Sequence, residues 1–169
     1  MLQLATLVLF PALMAYAASS DLMTMTISNR ISIVLLLGFV ALGLAGGMSW
    51  QVIVVDHLAC GAVVLVLTFG LFAFGWIGGG DAKLAATTAV WLGWSNLLDY
   101  GLAASFLGAV LTFGILYFRK FRLPQALEGR DWLARLHAAG NGVPYGIALA
   151  VAGLAIYPDT ALWSAAILR

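Results

Sequence analysis

The chain has 169 residues, of which 63% are hydrophobic and 9% charged, and its formal net charge is +1. A soluble domain carries about a quarter charged residues, so this composition excludes an ordinary soluble fold and puts the chain in contact with membrane lipid. The basic residues form no aromatic-interleaved patch, which excludes nucleic acid as a partner. The single cysteine, Cys60, excludes an internal disulfide and a cysteine-based zinc site.

Six runs free of Asp, Glu, Lys and Arg follow one another: 1–20, 31–55, 58–80, 84–98, 100–118 and 136–158. A span needs about 20 apolar residues, within a range of about 17 to 25. Five runs qualify. The run 84–98 is short, but Lys83 can snorkel and Asp99 can sit among headgroups. The reading is an all-α polytopic membrane protein with six transmembrane helices, forming a single integral membrane domain over 1–169. Ala15-Tyr16-Ala17 resembles a signal-peptide cleavage site, yet the positively charged start of a signal peptide is missing, so the first run is read as a retained span. Cys60 falls inside the third run, as a small packing residue.

The basic residues orient these spans. Arg30 follows the first, Lys83 the third, and Arg119, Lys120, Arg122, Arg130 and Arg135 the fifth; only Arg169 falls on the other side. The positive-inside rule makes the crowded face cytoplasmic and leaves both termini outside. Parity then sorts the acids. Asp21 and Asp81 share the cytoplasmic face and adjoin apolar spans. Asp56, Asp99 and Asp159 fall opposite, with His57 as a packing or headgroup contact. Glu128 and Asp131 lie in the polar fifth loop. There Leu127, Trp132, Leu133 and Leu136 alternate with Arg130, Asp131 and Arg135 in a pattern that suits a short amphipathic surface helix. Gly140-Asn141-Gly142 and Pro144 mark a break and restart. His137, near the same interface, is a minor catalytic candidate. No metal-ligand cluster is present, so neither a metal nor a cofactor is expected.

Asp81 directly follows Gly78-Gly79-Gly80, at the seam between two spans. An ionisable residue in that position marks a functional site whose partner should be sought, and Asp21 is the best candidate. Two carboxylates within a few ångströms do not both ionise easily. One keeps a proton and acts as general acid, while the other activates water as general base. The three glycines admit close backbone approach and unusual φ values, so an extended peptide could lie beside them. Structural roles stand alongside: Asp81 as N-cap of the fourth span, Ser19-Ser20-Asp21 as cap of a short helix, Lys83 as interfacial anchor, Asn29 and Arg30 as cap or anchor of the second span. Ala82, Ala85, Ala86, Thr87 and Thr88 allow close helix packing or approach of a substrate helix. The alternative class is a small membrane transporter or assembly subunit, with Asp21 and Asp81 as a proton or cation site.

Gly78-Gly79-Gly80-Asp81-Ala82-Lys83-Leu84 resembles the GxGD signature, with its following Lys-Leu, of the type IV prepilin peptidases. Asp21…Ile27-Ser28-Asn29 resembles that family's other aspartate region, with Ser28 where proline is usual. Val143-Pro144-Tyr145-Gly146 resembles the segment opening the family's last span. The resemblance implies a GxGD aspartic peptidase that removes the leader of a prepilin at the cytoplasmic membrane face. Asp21 and Asp81 would be catalytic, and Gly78, Gly79, Gly80 and Lys83 would contact substrate. The short first loop and the lack of paired cysteines resemble the compact Tad/Flp-pilus type without the methyltransferase insertion. An archaeal-type preflagellin peptidase is the neighbouring alternative.

Overall fold

The computed structural model describes residues 1–123 and 129–168. Leu127, Glu128 and Arg169 lie outside them. Among the described residues every regular element is helical. Helix α1 is Leu2–Thr24, α2 is Asn29–Ala45, and α3 is Trp50–Ala73 with a π-helical turn at Ile53–Leu58. Helix α4 is Gly79–Phe118, α5 is Asp131–His137, and α6 is Gly146–Ile156. A 3-10 turn, Tyr157–Asp159, leads to α7, Ala161–Ile167.

Among the described residues, α1, α3 and α4 are each long and apolar enough to cross a membrane. Gly146–Asp159 and α7, bent by 57°, make a fourth candidate span if taken as one, and α2 is a shorter apolar helix. By length and composition the described helices thus give three to four candidate spans, where six are expected.

Glycine chemistry decides where the apolar runs are cut. At the end of α2 the Met48 amide donates to the Gly43 carbonyl and the Gly47 amide to that of Leu44, with Gly47 at φ 84°. At the end of α3, Trp76 and Gly75 repeat the pattern onto Leu71 and Phe72, with Gly75 at φ 74°. Both are Schellman closures, in which a left-handed residue satisfies the last free carbonyls. Ser49 Oγ then accepts the Val52 amide and starts α3, so the second loop is only 46–49. Residues 50–57, expected to lie in that loop or the preceding span, belong to α3. The last run also starts later than expected, at Gly146 rather than 136.

The largest correction is in α4. At 40 residues a straight helix would be about 60 Å long, twice the hydrocarbon thickness. Asp81 and Thr112 would stand about 46 Å apart along it, yet both line one cavity. The chain doubles back at Gly93, whose φ of 70° and ψ of 179° are not helical. The reversal expected near Asp99 is absent, and Asp99 sits exposed within helix. Polar groups exposed by the break are satisfied locally. His57 Nδ1 donates to the Val90 carbonyl at 2.8 Å and the Asn96 amide to that of Leu92 at 3.0 Å. Trp94 Nε1 donates to the Val55 carbonyl in the π-helical turn at 2.9 Å. His57 is thus a seal on this reversal. A Cβ on Gly93 would lie 3.1 Å from the His57 ring. Gly93→Val is expected to cost about 1–3 kcal/mol from the left-handed backbone alone, read as a lower unfolding midpoint in detergent.

The core gathers around Trp91. Its ring lies 5.1 Å from Phe10 of α1, 5.7 Å from Phe39 of α2 and 5.8 Å from Tyr157. Its indole N–H donates to the Leu35 carbonyl at 2.9 Å. Phe10, Met14 and Ala17 are fully buried, so α1 is part of the bundle core. Cys60 is buried and free, as expected. Ala82, Ala85, Ala86 and Thr88 are buried too, which makes them chiefly packing residues between helices.

Candidate active site

Asp21 sits near the end of α1 and is 4% exposed. It is within the helix, not a cap at the start of one. Its carboxylate nevertheless meets a helix start: Oδ2 accepts the Gly146 amide, the first residue of α6, at 2.8 Å. A helix N-terminus favours negative charge, because its first amides have no intrahelical acceptors. Four residues on, Met25 turns the chain away in the left-handed region, at φ 53°. That conformation costs a residue with a side chain about 1–2 kcal/mol. It carries residues 25–27 back across the site.

Asp81 lies in the first turn of α4. The cap residue is Gly78, and Asp81 Oδ2 accepts the Gly78 amide at 3.3 Å. This is half a capping box, since glycine has no side chain to return the bond. Asp81 therefore caps from three residues inside the helix rather than from the N-cap. Asp21 is close enough for the two charges to interact. Both carboxylates line one cavity of about 310 Å³ with Met25, Thr26, Ile27 and Gly78-Gly79-Gly80.

The glycines have separate tasks. A Cβ on Gly80 would sit 3.1 Å from Ile27 Cβ and 3.4 Å from its backbone N. The backbone that closes on Gly80 is thus the chain's own 25–27 segment. Gly79 packs on the Phe72 ring, and Gly78 leaves room for the Asp81 carboxylate. Lys83 is exposed and donates to Asn29 Oδ1 at 2.8 Å, tying α4 to the start of α2. Ser28 caps α2 by accepting the Arg30 amide, so the serine standing where proline is usual still starts the helix.

Asp81 is also a wall of two further cavities. One, of about 630 Å³, is lined by Gly75, Trp76, Thr112, Val143 and Tyr145 among others. The other, of about 640 Å³, is an apolar groove between α3 and the two halves of α4, with Leu67, Leu71, Trp94, Leu98, Gly101 and Leu102 on its walls. Tyr145 borders both, and its hydroxyl donates to the Ala104 carbonyl at 3.1 Å.

The remaining candidates stand apart. Asp159 is exposed in the 3-10 turn, whose Tyr157 hydroxyl donates to the Thr6 carbonyl near the far end of α1. His57 and Asp56 lie at the Gly93 reversal. His137 is held by the Phe121 carbonyl at 2.7 Å and lines none of the three cavities. The expected amphipathic helix is α5. Leu133 is buried, Trp132 and Leu136 are half-buried, and Asp131 and Arg135 are exposed. Arg135 donates to the Met23 carbonyl at 2.6 Å, docking α5 beside the end of α1. Among the described residues no cluster of His, Cys, Asp and Glu suits a metal ion.

An all-helical bundle with several apolar helices of spanning length, and two carboxylates converging in one cavity, defines a polytopic membrane protein with an acidic site. The chain belongs to the type IV leader peptidase family, whose model matches residues 8–113. No curated protein and no solved structure matches it. The family resemblance carried by the glycine–aspartate motif is thereby borne out. Membership implies a peptidase with a prepilin-like substrate.

Proposed function

We propose that the protein is a GxGD-type aspartic endopeptidase that cuts the leader from a Flp-type prepilin, with Asp21 and Asp81 as the catalytic pair. The observation that carries this reading is the cavity shared by two carboxylates from different helices and the glycine triplet. One carboxylate takes a proton from water as the oxygen attacks the scissile carbonyl carbon. The other, initially protonated, gives its proton to the developing oxyanion. On collapse the C–N bond breaks, the nitrogen takes the proton that the first carboxylate drew from water, and one hydroxyl of the gem-diol returns its proton to the other carboxylate; the products are a carboxylic acid and an amine, and the pair again holds one proton. In each aspartate Oδ2 is engaged by a backbone amide, leaving Oδ1 to meet water.

The substrate has a route through the three cavities. An apolar segment lies in the groove beside α3, the scissile bond reaches Asp81, and the leader extends along Gly78, Gly79 and Gly80 with Lys83 at the edge. The bundle end bearing Asp21 and Asp81 also carries Lys83, Arg119 and Arg135, whose bonds reach Asn29, Gly142 and Met23. That clustering favours a cytoplasmic active face in the cytoplasmic membrane, with both termini outside. Six crossings follow if α2, the two halves of α4 and the α6–α7 pair each traverse the bilayer, thinned locally around the shorter ones.

The test is incubation of the purified protein with a Flp-type prepilin and measurement of the product masses. Loss of one leader-sized mass is expected. Proton-coupled flux without proteolysis would instead make the pair a transport site. Gly101 lines the groove, and a Cβ there meets nothing within 4 Å. Gly101→Leu is therefore expected to preserve the fold and lower kcat/KM for the full substrate by about tenfold or more. Gly114→Leu, equally open but not part of the groove lining, should leave it unchanged.

A further inference from the structure

Residues 143–146 lie beyond the stretch matched by the family model, yet they contribute the shortest hydrogen bond made to either carboxylate among the described residues. The Gly146 N–H meets Asp21 Oδ2 at 2.8 Å in a buried setting. A Cβ on Gly146 would sit 2.7 Å from Asp21 Oδ2, 3.1 Å from its Cγ and 2.6 Å from Ile27 Cδ1. Only glycine lets the carboxylate come this close to the amide.

The amide's own location is fixed from the opposite side. Pro144 is fully buried. The Tyr145 ring packs over Gly108, where any Cβ would overlap it, and its hydroxyl bonds to the Ala104 carbonyl. Gly146 therefore takes its position from the second half of α4 and offers a fixed donor to α1. Because it is the first residue of α6, its N–H has no intrahelical acceptor to leave.

We infer that Gly146 is a positioning residue: its N–H fixes the orientation of the Asp21 carboxylate against Asp81, and its missing side chain is what admits that carboxylate. The inference rests on the peptidase reading for its kinetic consequence, but not for its geometry. A hydrogen bond to a charged acceptor is among the stronger ones, and it sets direction as well as distance. With the amide in place, Asp21 Oδ1 is turned to the space where water meets the substrate. Without it, the carboxylate rotates freely about its last torsion.

The experiment replaces Gly146 by glycolic acid through nonsense suppression, which exchanges N–H for oxygen and adds no atoms. Expected is a fall in kcat of about 10- to 100-fold, with KM within about twofold and an unfolding midpoint close to wild type. Wild-type kcat in the ester variant overturns the inference. Gly146→Ala is the second variant, expected to lose activity at least as severely. Adding Ile27→Ala separates two reasons for the glycine. It removes the contact with Ile27 but leaves that with Asp21, so activity should stay low. Recovery would mean that Gly146 serves packing against Ile27 and would overturn the inference. Val151→Ala, on the exposed side of α6, should not change kcat. If the wild-type protein cuts no prepilin, the peptidase reading falls by itself. Carbodiimide labelling of Asp21, read by mass spectrometry in the same preparations, needs no cleavage. It should be severalfold faster in the ester variant, and equal labelling overturns the positioning role.

Discussion

Asp21→Asn and Asp81→Asn are each expected to abolish leader cleavage while the protein stays folded. Asparagine keeps the size of the side chain and an oxygen that can accept the Gly146 or Gly78 amide, so the local hydrogen bonds survive. It can neither take a proton from water nor return one to the leaving nitrogen. Loss of one acid–base group costs about 10²- to 10⁴-fold, and the two carboxylates act as a unit. The double variant should therefore be scarcely worse than either single one. Asp159→Asn is the control, because Asp159 is exposed at the opposite end of the bundle. The measurement is initial rate by product mass, with circular dichroism and unfolding midpoint on the same samples. Cleavage that survives either active-site change would remove the paired-carboxylate mechanism. Cleavage lost with Asp159 as well would point to a defect in folding rather than chemistry.

Trp91→Ala is expected to produce the largest loss of stability of any core substitution. The indole is fully buried and touches aromatic rings from α1, α2 and the turn before α7. Truncation leaves a cavity where three elements meet, which costs about 3–5 kcal/mol. It also leaves the Leu35 carbonyl without its indole donor. Trp91→Phe fills most of the space and loses the hydrogen bond alone, so its cost should be much smaller. Thermal unfolding in one detergent, compared across the three proteins, measures both. A midpoint for Trp91→Ala within a degree or two of wild type would mean that the aromatic cluster is not what holds α1, α2 and α4 together.

Much of the site is legible in the chain because it depends on short-range chemistry. A carboxylate after three glycines at the end of an apolar run marks Asp81 without reference to anything distant. Counting six crossings puts Asp21 on the same expected face, and the two carboxylates line one cavity. The spacing of Trp132, Leu133 and Leu136 describes α5 correctly for the same reason. Apolar content alone does not say where a run turns. Asp99 looked like a boundary because charge prefers the interface, but the chain reverses six residues earlier, where glycine accepts a left-handed backbone. The second loop is shorter than expected because Gly47 closes one helix and Ser49 opens the next within only four residues. Lys83 donates to Asn29, a contact between two helix starts that no local pattern contains.

Composition and charge bias by themselves point to a helical membrane protein, and one glycine–aspartate motif carries the resemblance to the leader peptidase family and marks the candidate acids. These properties reside in the residues and their order, so they need no knowledge of packing. Only the tertiary structure decided that Gly146 meets Asp21, that Ile27 closes over Gly80, and that α4 folds on itself to make Asp81 the common wall of three cavities. Such contacts join groups remote along the chain. Some of them are made by backbone amides, which every residue but proline carries and which therefore leave no mark in the sequence, so what reveals them is the packing of whole helices.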